Sequence, residues 1–264
     1  MVYKIVTFNL KRCVSKKSEF YFNKRVDAIE EFFTKVMPDI IGTQELTYST
    51  ITQIESFLKD YKWVGLGRLG GKNGEFSAIF FNSKKFDLIE QDTFWLSKNP
   101  KRPGSRDWFS LFPRICTWCI LKDKNNGNIL RIYNTHLDHI SPFARFNSIK
   151  LITQYATKYD NPTLAGTILM GDFNASPKSN TLQSLLNSEN NINLFKENSY
   201  TALLKLDTTE LYTYHGLKNK NTGRPIDYIF TSNNIKIEKV LIDRNLYAKK
   251  ILSDHYPVVV EIAV

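Results

Sequence analysis

Strand-sized apolar or alternating segments recur along the whole chain, and they constrain the fold more than any other feature. Residues 2–9 alternate between apolar and polar side chains, as a half-buried β-strand does. Between residues 62 and 136 the segments WVGLG, FSAIFF, FDLIEQ, ICTWCIL and ILRIYNTH follow one another, separated by turn-forming sequences such as GGKNG and DKNNGN. Successive strands joined by turns of this kind predict β-hairpins. Further strands are predicted in DIIGTQ, TILMGDF, IDYIF, IKIEKVLI and YPVVVEI.

Segments with helical spacing lie between the predicted strands. Apolar residues recur at this spacing over 22–36 and predict a helix that ends before Pro38. The sequence Thr50-Ile-Thr-Gln53 has the pattern of a capping box and predicts the start of a second helix. A long helix is predicted over 143–159.

The order of strands and helices predicts the layers of the fold. A short helix is predicted near 180–187, whereas 190–210 has no clear pattern. Strands before and after the intervening helices predict an α/β protein, a four-layer α/β/β/α sandwich in which two packed mixed β-sheets are flanked by helices. The 264 residues show no internal repeat or linker, and 42% hydrophobic and 23% charged residues are typical of globular proteins. A single domain over 1–264 is therefore expected.

The amino terminus and the cysteines indicate a cytoplasmic location. The first residues alternate like a strand and lack the pattern of an export signal, and the longest apolar runs are strand-sized. A soluble, non-exported protein without membrane insertion is expected. Three cysteines are too few and too unevenly placed for a disulfide framework. Cys116 and Cys119 form a CxxC sequence, but in a strand they would face opposite sides of the sheet, which argues against a metal or redox site.

The chain is basic. Thirty-six Lys and Arg residues against 26 Asp and Glu residues leave a formal net charge of +10. A basic surface attracts polyanions such as nucleic acid and anionic phosphate compounds. Because the excess is scattered lysine with no long basic run, the charge favours a phosphate-bearing partner without identifying one.

Polar side chains occur where several predicted strands end. A single Asp, Asn or His at such a position is usually a turn former or a helix cap. A set of them is different, because buried carboxylates cost several kcal/mol unless they are solvated, partnered or bound to metal. We therefore expect these groups to converge at one rim of the sheets. They are Asn9, Glu45, His136, Asp172, Asn174 and Asp227, with Asp254 and His255 just before the last strand.

The same residues lie in motifs that resemble those of the endonuclease/exonuclease/phosphatase superfamily, which has the DNase-like fold. TFNL, TQE, NTHLDH, GDFN, RPIDYI and SDHYP occur in the order of the family and extend over the whole chain. FWLS, PRICTW and THLDH are most similar to bacterial members whose substrate is unknown. The resemblance implies a metal-dependent phosphoric ester hydrolase with the four-layer fold.

A metal site follows from this resemblance. Glu45 looks like the principal Mg²⁺ ligand, with Asn9 and Asp254 close to the metal. Carboxylate and amide oxygens suit Mg²⁺, a hard cation, and Mn²⁺ is an alternative.

The resemblance also implies the catalytic residues. His255 is similar to the histidine that acts at the reacting phosphate, and Asp227 to the carboxylate that orients it. Asp172 and Asn174 would position or deprotonate the attacking water and hold a phosphate oxygen, and His136 would donate to the phosphate. Hydrolysis of an anionic phosphodiester needs such charge neutralisation and a positioned water.

Arg114 resembles the phosphate-contacting arginine of the DNase branch, although a surface arginine at a strand start is the alternative. The preceding segment 95–114 mixes arginines with tryptophans and phenylalanines. It would either stack on a nucleotide or form an ordinary loop fixed by aromatic residues. His139 and His215 are not assigned to the catalytic set.

The sequence leaves the substrate open. The family's inositol phosphatases have Asp-Arg where this chain has Asp227-Tyr228, and the openings of AP-endonucleases have Asn-Gly where it has Asn9-Leu10. The leading hypothesis is a monomeric Mg²⁺-dependent nuclease or phosphodiesterase acting on DNA, RNA or another phosphodiester. A phosphomonoesterase for a small metabolite or lipid headgroup is the alternative, and a non-catalytic nucleic-acid-binding module is a third.

Overall fold

A computed structural model of the chain describes residues 1–158, 163–186, 194–195, 197–204, 211–216 and 223–264. The strands are β1 (Val2–Asn9), β2 (Ile40–Gln44), β3 (Tyr61–Val64), β4 (Ile79–Asn82), β5 (Phe86–Trp95), β6 (Ile115–Asp123), β7 (Ile129–His136), β8 (Gly166–Asp172), β9 (Glu197–Asn198), β10 (Asp227–Thr231), β11 (Lys236–Ile242) and β12 (Val258–Ala263). The helices are α1 (Phe22–Val36), α2 (Tyr48–Phe57), α3 (Pro142–Lys158), α4 (Asn180–Leu186) and α5 (Ser199–Leu204).

The strands form two six-stranded mixed sheets. One has the order β11-β12-β1-β2-β4-β3, and the other has the order β5-β6-β7-β8-β10-β9. At the centre of the first sheet β1 pairs in parallel with β2, and at the centre of the second β7 pairs in parallel with β8. Asn9, the last residue of β1, is hydrogen-bonded to Asp172, the last residue of β8, so the carboxyl ends of all four central strands lie at the same end of the sandwich.

The two sheets pack face to face across an apolar layer. Ile5 and Ile79 of the first sheet belong to the same buried cluster as Ile132, Ile168 and Met170 of the second, and all five side chains are fully buried. Burying each large apolar side chain contributes about 1.5–3 kcal/mol. This layer fixes the sheets relative to each other and so fixes the distance between side chains at their ends.

Helices cover the outer faces. Ile29 and Phe32 of α1 pack with Phe8 on the first sheet, and Ile149 and Ile152 of α3 pack on the second sheet. The predicted four-layer α/β/β/α arrangement is confirmed.

The helix predictions hold with local corrections. Helix α1 has the predicted bounds, and Met37, in the left-handed conformation with φ 48°, ends it. The start of the second helix was predicted too late in the sequence. Thr47, and not Thr50, is the N-cap, and Thr50 is the N3 residue of the capping box. The carboxyl-terminal limit predicted for the long helix, residue 159, lies outside the described residues, as does most of 190–210.

The two cysteines of the CxxC sequence lie in different apolar layers of the fold. Cys119 belongs to the layer between the sheets, whereas Cys116 belongs to the helix-covered face, so the prediction that they face opposite sides is confirmed. Burial raises the pKa of both thiols. Among the residues that the structure describes, no helix has the length and apolar character needed to span a bilayer.

Candidate active site

Strand pairing brings the predicted polar residues to one end of the sandwich. In the parallel pair of β1 and β2, Asn9 lies opposite Gln44, and Glu45 follows directly. In the parallel pair of β7 and β8, His136 lies opposite Asp172. The expectation that polar groups end their strands was wrong for Asp227, which begins β10. Because β10 runs antiparallel to β8, its first residue lies opposite Asp172.

Gly171 allows the chain to place Asp172 at this end. Its φ is +146°, and a Cβ atom there would lie 2.0 Å from the carbonyl oxygen of Thr135 on the neighbouring strand. Only glycine tolerates both the conformation and the close approach. The glycine of the GDFN motif is therefore required by the pairing of β7 with β8.

Asn9 joins the two sheets through its amide group. Its Nδ2 donates to Glu45 Oε1 and to Asp172 Oδ2, each at 3.0 Å. Its Oδ1 accepts from the backbone N–H of Lys11 at 3.0 Å. The fully buried amide thus holds two carboxylates from different sheets close to each other.

Glu45 presents a carboxylate to solvent beside this bridge. The residue has φ 64°, and its Oε2 accepts from the backbone N–H of Arg12 at 2.7 Å. Two carboxylates held close together need a counter-charge, and oxygen donors of this type suit a hard divalent cation. The donor set fits the Mg²⁺ site predicted for Glu45, with Asp254 as its neighbour.

Asp254 is paired with a cation of the chain itself. Lys11 Nζ lies 2.5 Å from Asp254 Oδ2, and Ser253 Oγ lies 3.3 Å from Asp254 Oδ1. Although burial opposes the charge, the contact with Asp254 and the field of Glu45 raise the pKa of Lys11. A positively charged lysine therefore stands beside the predicted metal ligands.

His255 and Asp227 form a buried pair, in which His255 lines the cavity and Asp227 does not. His255 Nδ1 lies 2.8 Å from Asp227 Oδ2. Thr213 Oγ1 donates to the same carboxylate oxygen at 2.6 Å and accepts from the backbone N–H of Asp227. Burial opposes the charge of the imidazole, but the carboxylates of Asp227 and Asp172 overcome it and raise the pKa of His255 to about 10. The ring is therefore an imidazolium at neutral pH.

Asp172 lies at the centre of the site. Its Oδ2 is 3.8 Å from His255 Nε2 and 3.5 Å from His136 Nε2. Burial, followed by repulsion from Asp227, raises the pKa of Asp172 to about 7. Ligand atoms of Asp172, Asp227 and His255 lie within 4.8 Å of one another. His255 therefore donates a hydrogen bond to Asp227 through Nδ1, while its Nε2 faces Asp172 at ion-pair distance.

His136 and Arg114 also line the cavity. Burial, followed by the charge of Arg114, holds the pKa of His136 well below its ordinary value, so the ring is neutral. Arg114 Nη2 lies 2.9 Å from His139 Nδ1, and its Nε lies 3.7 Å from Asp138 Oδ2. The guanidinium is therefore held from behind while the residue lines the cavity.

Asn174 is fixed by the loop that follows β8. It has φ 47°, its backbone N–H donates to Asp172 Oδ1 at 2.9 Å, and its Nδ2 donates to the carbonyl oxygen of Leu137 at 3.1 Å. Since an amide nitrogen carries two N–H groups, one remains for a ligand.

These groups surround a cavity of about 750 Å³. Two predicted site residues, Asn9 and Asp227, lie beneath it and act through the lining residues described above. The predicted residues that line it are Glu45, Arg114, His136, Asp172, Asn174, Asp254 and His255. The structure thus brings the whole predicted set together, although their individual roles stay predictions.

Several lining residues were not identified from the sequence. Lys11 directly follows the TFNL motif, and this proximity was the only available signal for it. Arg12, Arg68, Glu75 and Tyr214 lie in loops without a motif. Arg224 is the first residue of the RPIDYI motif, and Phe112 belongs to segment 95–114, but neither was assigned to the site. Arg12 and Arg68 both contact Glu75, at 3.2 and 2.7 Å.

The two unassigned histidines differ in position. His139 lines the cavity and contacts Arg114. His215 does not line the cavity; its backbone N–H donates to the carbonyl oxygen of Asp254, and its ring lies 4.3 Å from that of Tyr256. Within segment 95–114, Trp95 is buried and fixes the loop, whereas Phe109 and Phe112 are exposed.

The sequence model described as "Endonuclease/Exonuclease/phosphatase family" matches residues 6–255. The chain belongs to this family. It is therefore a hydrolase of phosphoester bonds, and the resemblance inferred from its motifs is confirmed. No curated protein matches the chain with significance.

Solved structures of the family have the same fold. The endonuclease/exonuclease/phosphatase from Bacteroides vulgatus is 25% identical, with a TM-score of 0.90 and coverage of 100% of this chain and 99% of that one. A mannosyl-6-phosphatase of Bacteroides thetaiotaomicron is 28% identical, with a TM-score of 0.88 and coverage of 99% and 100%. The human nocturnin catalytic domain is 18% identical, with a TM-score of 0.76 and coverage of 99% and 93%, and shows the shared fold alone.

Proposed function

We propose that the protein is a divalent-metal-dependent phosphomonoesterase that acts on a small polar molecule. The observation that carries the proposal is the cavity of about 750 Å³ with the Asp172 cluster beneath it. This volume lies within the range of about 300–1,000 Å³ that is typical of small-molecule sites. The family covers both phosphatases and nucleases, and the similarity to the mannosyl-6-phosphatase over the full length favours the phosphatase.

The charge around the cavity supports a dianionic phosphate. Arg114 and the imidazolium of His255 provide positive charge, and the neutral ring of His136 provides a hydrogen-bond donor. An arginine fork matches the geometry of phosphate oxygens. These groups would hold the phosphate above Asp172 and stabilise the charge that develops during attack.

Asp172 would align the attacking water and accept its proton. A carboxylate with a pKa of about 7 is matched to proton transfer at neutral pH. Asn9 and Asn174 hold its two oxygens in place, so the acceptor has one orientation. The oxygen of the water forms a bond to phosphorus, the ester P–O bond breaks, and the leaving alcohol takes up a proton.

Glu45 would hold the metal ion, with Asp254 nearby. When bound, the ion would neutralise phosphate oxygens and the leaving oxygen. Mg²⁺ is the proposed ion because the donors are oxygens, and Mn²⁺ would substitute for it.

The test is a panel of substrates with Mg²⁺, Mn²⁺ or EDTA. The panel contains p-nitrophenyl phosphate, bis-p-nitrophenyl phosphate, a mannosyl 6-phosphate, single-stranded DNA and RNA. We expect metal-dependent phosphate release from monoesters, lost in Asp172→Asn and retained in Asp243→Asn, which changes a buried carboxylate outside the cavity. A fully active Asp172→Asn protein would contradict the proposed role of Asp172.

A phosphodiesterase or nuclease is the second candidate. The net charge of +10 favours it, because a basic surface attracts polyanions. Cleavage of bis-p-nitrophenyl phosphate or of a polynucleotide, with little release from monoesters, would support this activity over the first.

A further inference from the structure

An exposed apolar patch lies beside the cavity. Its residues come from the loop before β6 and from the segment that enters α3, and their exposed fractions range from 38% to 86%. They are Phe109, Leu111, Phe112, Ile140, Phe143 and Phe146. The rings of Phe109 and Phe143 lie 6.3 Å apart, so the two segments form one surface. Contiguous exposed apolar patches on soluble proteins, especially those with a polar border, often mark an interaction site.

The patch is held in place by hydrogen bonds between its two segments. Ser141 Oγ donates to the carbonyl oxygen of Trp108 at 2.9 Å, and Ser110 Oγ donates to Asp138 Oδ2 at 2.9 Å. Trp108 and Phe109 have φ of 57° and 65°, a conformation that costs energy for aromatic residues. The most exposed side chain, Phe109, therefore projects from a loop that is fixed in an unfavourable conformation.

The surroundings of the patch are basic. Lys98 and Arg106 lie in the same surface depression as Phe109 and Phe143. The segments 98–112 and 139–150 together contain one acidic residue, Asp107. Their basic residues are Lys98, Lys101, Arg102, Arg106, Arg145 and Lys150. A surface with an apolar centre and a basic border is complementary to a partner whose outer layer is anionic and whose interior is apolar.

We propose that this patch docks on the surface of an anionic lipid bilayer. Phe109 and Phe143 would enter the boundary between headgroups and acyl chains, and the lysines and arginines would contact the lipid phosphates. Leu111 and Ile140 favour lipid over single-stranded nucleic acid, because aliphatic side chains have no π-face on which a base stacks.

Docking would also orient the cavity. Phe112 belongs to the patch and lines the cavity, where its ring lies 4.8 Å from the guanidinium of Arg68. The mouth of the cavity would therefore face the headgroup layer. The proposal concerns binding and does not depend on which phosphoester the cavity hydrolyses.

The test is sedimentation of the full chain with phosphatidylcholine vesicles that contain or lack phosphatidylglycerol. We expect binding to the anionic vesicles that weakens with salt, and a loss of at least roughly tenfold in partition coefficient for F109S/F143S. The control is I89S/L246S, which changes two exposed apolar residues away from the patch; they are 57% and 61% exposed, against 86% and 54% for Phe109 and Phe143. The control should bind like the wild type. A K98Q/R106Q variant should lose binding to the anionic vesicles in the same way.

Other outcomes would overturn the proposal. Absence of wild-type binding, or equal binding by F109S/F143S and I89S/L246S, would show that the patch does not contact lipid. Binding of a single-stranded oligonucleotide that F109S/F143S abolishes, with no vesicle binding, would assign the patch to nucleic acid. A concentration-dependent dimer that the same variant abolishes, again without vesicle binding, would assign it to self-association.

Discussion

Replacing Asp227 with Asn removes one negative charge from beneath the cavity and keeps the shape of the side chain. The amide oxygen of Asn can still accept from His255 Nδ1 and Thr213 Oγ1, as Asp227 Oδ2 does at 2.8 and 2.6 Å. The amide nitrogen takes the place of Oδ1, which is buried and has no hydrogen-bond partner among the described residues. The substitution therefore tests the charge and not the packing.

The expected effect on stability is small, because two contributions oppose each other. Ligand oxygens of Asp172 and Asp227 lie within 4.8 Å. Two full charges at that distance repel by about 3.5 kcal/mol at an effective dielectric constant of about 20. The relief at neutral pH is smaller, because Asp172 with its pKa of about 7 is only partly ionised. Losing this repulsion stabilises the variant, but two other changes destabilise it. A hydrogen bond to a charged carboxylate, which contributes about 1.5–3 kcal/mol, becomes a neutral hydrogen bond that contributes about 0.5–1.5 kcal/mol. In addition, His255 loses its counter-ion. We expect the free energy of unfolding to change by less than about 2 kcal/mol.

The expected effect on activity is large. In the proposed mechanism the carboxylate of Asp227 keeps His255 positively charged beside the substrate phosphate, and Asp227→Asn removes that support. Loss of such a positioned acid–base or electrostatic group lowers kcat by about 10²–10⁴-fold. The assay is metal-dependent hydrolysis of p-nitrophenyl phosphate, with urea unfolding of the same preparations.

The matched control is Asp243→Asn. Asp243 is also buried and accepts from Tyr247 Oη at 2.6 Å, but it does not line the cavity. We expect its kcat to stay within about twofold of the wild type, since it contacts no group of the site. A kcat of Asp227→Asn within tenfold of the wild type, or an equal loss in both variants, would refute the reasoning.

Two further predictions concern the same end of the sandwich. Gly171→Ala should lower the free energy of unfolding by more than about 3 kcal/mol, because the added Cβ would lie 2.0 Å from the carbonyl oxygen of Thr135 and the residue has φ +146°. Urea unfolding measures this change. An unchanged urea midpoint would contradict the close approach of the two strands. Lys11→Met should raise Mn²⁺ affinity about fivefold, corresponding to about 1 kcal/mol, because an ammonium group 2.5 Å from Asp254 opposes a divalent cation beside it. Calorimetric titration measures this, and an unchanged or weaker affinity would show that Lys11 does not act on the metal site.

Local patterns were sufficient to predict most of the elements. Helical spacing gave α1 with its observed bounds, because Pro38 and the apolar positions act within a few residues. The capping box of α2 was predicted at the wrong pair of residues. Thr47 with Thr50 and Thr50 with Gln53 have the same spacing, so the sequence pattern alone does not distinguish them. The motif set was sufficient to identify most of the residues that meet at the cavity, because each of them lies at the end of a strand or within a few residues of one.

Tertiary structure decided which charges meet. Lys11 pairs with Asp254 across 243 residues, and Arg114 meets His139 because two loops converge. The apolar periodicity of the sequence does not predict such contacts, because they depend on how the two sheets pack against each other.

The sequence by itself determined the strands, the helices, the four layers and the set of polar residues at the strand ends. It did so because backbone preference and apolar periodicity act locally, and because parallel neighbours end at the same edge. Only the tertiary structure decided that Asn9 bridges carboxylates from two sheets, that His255 lies between Asp172 and Asp227, and that Phe112 of the exposed apolar patch lines the cavity. These features depend on distances between segments far apart in the chain, which packing of the two sheets sets.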